Sequence, residues 1–168
     1  MTTTITRIDP STLNSAPGLI AQIAAPRDCD LVFVSGQVAW DADGQFIGVG
    51  DYGAQVAQVA RNIDAILTEL GTDRDAIVKE TIYVTGWTPD LLPVVVGGLR
   101  NGSAVPASTL IGVAALFHPD ALVEAEIVVA VPRARRVTLV VAPTARSAVA
   151  PRCRTRIEHR RTSTAARA

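Results

Sequence analysis

Cysteine is scarce in this chain of 168 residues: Cys29 and Cys153 stand far apart, at no spacing that suits a disulfide framework or a metal site. A reducing, cytoplasmic setting is the expectation. Aromatic residues make up only 4% of the chain, and none follows Phe117, so the C-terminal part has nothing on which to stack a nucleic-acid base. No run approaches the ~18 uninterrupted apolar residues of a membrane span. The start, MTTTITRIDP, lacks the basic and then apolar pattern of an export signal, so a soluble protein with no membrane partner is expected. The two histidines, His118 and His159, make no metal-ligand spacing, and no metal site is expected.

What is present is unevenly distributed. Formal net charge is zero, yet up to Val131 six basic residues face fifteen acidic ones, and from Pro132 onward ten arginines face Glu158 alone. The first part is therefore net −9 and the second +9. The acidic part carries the regular apolar patterning of a folded domain, and at this length it buries enough surface to need no staples. Residues 1–131 are read as one domain. Residues 132–168, rich in Arg, Ala, Pro and Thr, are read as a disordered basic tail, with VTLVV (137–141) as the one segment able to add a strand.

Within the domain, residues 4–8 predict a short strand, 19–25 a second, and 31–40 (LVFVSGQVAW) a third that ends at the turn Asp41-Ala42-Asp43-Gly44. Asp51 offers an N-cap for a helix over 52–70, where Val56, Val59, Ala60, Ile63, Ile66, Leu67 and Leu70 recur at three and four, and Gly71 stops it. Residues 77–85 (IVKETIYVT) alternate as a strand, with Val78, Glu80, Ile82 and Val84 on one parity. A following helix is expected to be shortened or broken by Pro93 and Gly97-Gly98. Residues 108–117 and 122–131, joined by His118-Pro119-Asp120-Ala121, read as a closing hairpin. The order predicts an α+β fold with helices on one face of a mixed sheet. Val32, Val34 and the odd positions of the last strand are the expected cover for the other face.

The last strand carries the most informative pattern. Glu124 and Glu126 share one face while Val123, Ala125 and Ile127 share the other. The ordered set of SGQ (35–37), the amphipathic helix with Arg61-Asn62, IVKETIYVT, PASTL (106–110) and LVEAEIVVAV (122–131) resembles the RidA/YjgF family of reactive-intermediate deaminases. That resemblance implies a chorismate-mutase-like α+β domain, a single mixed sheet backed by two helices, assembled as a homotrimer around a central barrel. It also implies small-molecule ligand clefts between subunits and no cofactor.

Carried over residue by residue, the resemblance makes Glu124 the carboxylate that positions water on an imine carbon. Ser35, Gly36, Ser108, Thr109 and Leu110 would line the cleft. Members that act on imino acids read P-A-R-S in this segment, and the arginine grips the substrate carboxylate; here Ser108 takes its place, and a hydroxyl cannot supply that forked cation. Gly36 reads equally as a strand bulge, and Glu124 equally as the polar face of a strand. The readings that follow are a hydrolase of small enamines or imines, a non-catalytic small-molecule binder or sensor on the same scaffold, and an endoribonuclease. Nucleic acid is disfavoured by the acidic body. The Gly48-Val49-Gly50 stretch lacks the lysine and further glycines of a phosphate loop. Ser108 has no His-Asp pair at a spacing that would make it a nucleophile.

Overall fold

The structure, a computed structural model, describes residues 4–133. The tail reading, including the possible strand at 137–141, lies outside the described residues. Strands β1 (Thr4–Ile8) and β2 (Ile23–Arg27) pair as an antiparallel two-stranded sheet. The main sheet holds β3 (Cys29–Gln37), β4 (Ile77–Thr85), β5 (Ala107–Val113) and β6 (Val123–Pro132), in the order β3-β6-β4-β5. Helix α1 (Tyr52–Glu69) links β3 to β4, and α2 (Leu92–Arg100) links β4 to β5. Both crossovers step the same way across the sheet, and with the usual right-handed connection both helices land on one face.

The ends of α1 follow from local chemistry. The Asp51 side chain accepts from the Ala54 amide at 3.0 Å, satisfying one of the amides that a helix start leaves unpaired. At the other end Gly71 adopts φ +66, while its amide and that of Thr72 return to Thr68 and Leu67, which closes the helix with a left-handed glycine. Val56, Val59, Ile63 and Leu67 then pack on Ile82, Val84, Val123, Ala125, Ile127 and Val129 of the sheet.

Several expectations need correction. The closing hairpin does not form: β5 pairs parallel with β4, and β6 runs antiparallel between β4 and β3. The second strand starts later than expected, at Ile23. The second helix is short, as expected, at 9 residues, but Pro93 does not break it: it sits in the first turn, where its missing amide costs nothing. The expected cover of the second sheet face is also inverted. Val32, Val34 and the odd positions of β6 pack toward the helices, and the open face instead presents Leu31 and Phe33 with Glu124 and Glu126.

Candidate functional site

On the open face, β3 and β6 lose register between Val34 and Gln37, so that Ser35 and Gly36 together oppose a single β6 residue. This is a bulge, and it has a second consequence. A Cβ built on Gly36 would lie 1.9 Å from Glu124 Oε1; only glycine lets that carboxylate lie against the β3 backbone. The bulge reading of Gly36 therefore holds, and the same glycine makes room for the Glu124 carboxylate. Ser35 is exposed beside it, and its carbonyl accepts from Gln37 Nε2 at 3.0 Å.

Glu124 is half-buried and, among the described residues, its carboxylate accepts no hydrogen bond from a side chain or backbone group. Desolvation by burial, reinforced by the like charge of Glu126, pushes its carboxyl above the usual carboxylate range. Its cross-strand neighbour is Tyr83, whose hydroxyl donates to Glu126 Oε1 at 3.2 Å. Further along, Lys79 Nζ donates to Thr109 Oγ1 and to the Glu80 carbonyl, each at 2.7 Å. Burial lowers the Lys79 pKa, opposed by Glu80 and Glu126. A groove of 310 Å³ lined by Phe33, Lys79, Thr81, Glu126 and Val128 runs along this face.

The remaining sequence candidates divide between faces. Thr109 lies with Lys79 on the open side. Ser108 is registered with Glu80 on the helix side, where its hydroxyl donates to Glu80 Oε1 at 2.7 Å, and Leu110 packs on the core. Glu80 itself is buried and paired with buried Arg100 from the end of α2, whose Nε lies 3.0 Å from the same oxygen. One chain thus brings Ser35, Gly36 and Glu124 together and keeps Ser108 and Leu110 on the opposite face of the sheet.

Tyr83, Lys79 and Glu80 were not singled out from sequence as site residues. The signal for Glu80 was its shared parity with Val78, Ile82 and Val84: a charge on an apolar face needs a buried partner. His118 is packed among aromatic rings. Its ring stacks on Phe46 at 4.5 Å with Trp40 and Phe117 packed edge-on. Among the described residues no group of three or more His, Cys, Asp or Glu could hold a metal ion, and no helix is long and apolar enough to cross a membrane.

The Endoribonuclease L-PSP family model matches residues 22–131. A RutC family protein of Aquifex aeolicus is 36% identical over 99 residues, covering 58% of this chain and 78% of the relative. Among solved structures, YyfB of Yersinia pestis, a protein of unknown function in the conserved Rid family, aligns with a TM-score of 0.70 and 28% identity over 76% of this chain and 98% of its own. YyfA from the same organism, also of unknown function, aligns with a TM-score of 0.53 and 30% identity over 76% of this chain and 100% of its own. The matched segment spans the bulge at Ser35-Gly36, Glu124 opposite it, and both crossover helices, and on these grounds the chain belongs to the RidA/YjgF family.

Proposed function

We propose that this protein hydrolyses small imines or enamines that carry no free carboxylate, at sites assembled between copies of the chain in a homotrimer. The observation that carries the reading is Glu124: a half-buried carboxylate with an elevated pKa and, among the described residues, no hydrogen-bond donor, resting on a glycine bulge. Such a group is short of a donor, and water supplies one. As that water attacks the electron-poor carbon of C=N, its proton passes to Glu124. The tetrahedral adduct takes that proton back on nitrogen, and the proton of its new hydroxyl then also passes to nitrogen as the C–N bond breaks, so that ammonia leaves and a carbonyl remains. Overall one imine and one water give one carbonyl compound and one ammonia, with no redox step.

Assembly between copies is supported by the separation of Ser108 from Glu124. The two stand on opposite sheet faces, so only a second chain can bring Ser108 toward a ligand resting on Glu124. The same open face exposes Leu31 and Phe33, which a neighbouring copy would cover. Phosphodiester cleavage is the weaker reading, because Glu124 and Glu126 together repel a phosphate backbone.

The test is ammonia release from butan-1-imine, generated in place from butylamine by an amine oxidase, measured above spontaneous hydrolysis. The wild-type protein is expected to accelerate release. Glu124→Gln should lower kcat by about 10²–10⁴-fold. No acceleration by a correctly assembled protein would reject the hydrolase and leave a binder on the same scaffold.

A further inference from the structure

Everything that Glu80 Oε1 touches is a donor of the kind a small carboxylate ligand needs: Arg100 Nε at 3.0 Å, Arg100 Nη2, and the Ser108 hydroxyl at 2.7 Å. The pair is enclosed, with Glu80 5% and Arg100 7% exposed. A third guanidinium contact, from Arg100 Nη1, goes to the Leu19 carbonyl in the connection between β1 and β2. Arginine keeps its charge at any physiological pH, so the cation beside Ser108 is already committed to an internal anion. The cluster lies under β5, an edge strand whose outer side is unpaired among the described residues. Stability alone is a weak reason for such a pair, since an apolar replacement of similar volume often does as well.

We propose that Glu80 is a specificity-determining residue: an internal carboxylate that fills the place at Arg100 and Ser108 where a carboxylate-bearing substrate would bind. With Glu80 present, 2-imino acids meet a neutralised cation and a fixed negative charge. With Glu80 removed, Arg100 and Ser108 form a vacant carboxylate site. The consequence for catalysis rests on the hydrolase reading above; the vacant site itself is read by binding.

The experiment uses the full chain as wild type, Glu80→Ala, and Glu80→Ala combined with Arg100→Met. Acetate matches the volume that Glu80→Ala vacates and should restore the melting midpoint, whereas acetamide should not. 2-Oxobutanoate is too large for that space and binds only where it opens toward the ligand cleft. Calorimetry is expected to show 2-oxobutanoate binding at least tenfold more tightly to Glu80→Ala than to wild type, with the gain abolished by Arg100→Met. For 2-iminobutanoate relative to butan-1-imine, kcat/KM should rise at least tenfold in Glu80→Ala, through KM. Glu80→Asp, which draws the carboxylate back by one methylene, should give a smaller gain in a milder background. Rescue by acetate without 2-oxobutanoate binding would reduce Glu80 to a structural ion-pair partner and overturn the proposal. So would a gain that survives loss of Arg100, no gain in either folded variant, or wild-type binding as tight as that of Glu80→Ala. Absence of turnover with every imine would count against the hydrolase alone and leave the binding result standing.

Discussion

Glu124 is held in a state that folding does not favour. Its carboxyl is pushed above the usual range by burial and by Glu126, so the folded protein binds its proton more tightly than the unfolded chain does. The stabilising contribution of that protonation is complete below the unfolded value of 4.5 and is lost as pH rises through the folded value. At neutral pH the ionised group is therefore a net cost, of the sort that active sites carry. Glu124→Gln is expected to melt higher than wild type at pH 7 while losing turnover, with the melting difference shrinking as pH falls toward 4. A variant that melts lower at pH 7 would mean that Glu124 is a structural partner. Strand alternation places this residue on one face with Glu126, and the family resemblance is what distinguishes it from Glu126 as the candidate. The sequence could not show the Glu80–Arg100 pair, whose partners are twenty positions apart and meet only when α2 folds back over β4. What it showed there was the missing arginine at Ser108, without the cation already waiting beside it.

At the level of elements, periodicity located nearly every helix and strand, and pairing was the part it did not convey. Helix α1 and strand β4 are legible because their apolar spacing, an N-cap at Asp51 and a stop at Gly71 agree with one another. The supposed hairpin between β5 and β6 failed because β5 ends at Val113, leaving 114–122 as a connection longer than tight hairpin loops. That length lets β6 pass to the far side of β4. Helix α2 offers a direct test of packing against propensity through its two glycines. A Cβ on Gly98 would lie 2.5 Å from Val56 Cγ1 of α1, whereas one on Gly97 meets nothing within 4 Å. Gly97→Ala should stabilise by about 0.5–1 kcal/mol, the helix-propensity gain. Gly98→Ala should destabilise by about 1–3 kcal/mol, because it forces the helices apart. Urea midpoints of the two variants decide the matter, and equal shifts in the same direction would show that α1 and α2 are not closely packed here.

For the molecule as a whole, the two sides of the sheet are unequal. The helix side is a continuous apolar core, while the open side leaves Phe33 78% and Leu31 49% exposed, with Ile111 also exposed. Isolated apolar residues on a surface need no explanation, but these lie on one sheet face alongside the carboxylates of the candidate site. Covering Phe33 alone contributes roughly 1.5–3 kcal/mol per copy, and in a closed homotrimer the gain recurs at each equivalent position. Phe33→Asp should therefore convert the proposed trimer into monomers at micromolar concentration, with far-ultraviolet circular dichroism unchanged because the side chain takes no part in the core. Since Ser108 and Glu124 occupy opposite faces of one chain, the same variant should lose imine hydrolysis although neither residue has been altered. Sedimentation velocity and ammonia release measured on one preparation test both halves. A wild-type protein that sediments as a monomer rejects the assembly, and a monomeric Phe33→Asp that retains full turnover shows that each chain carries a complete site.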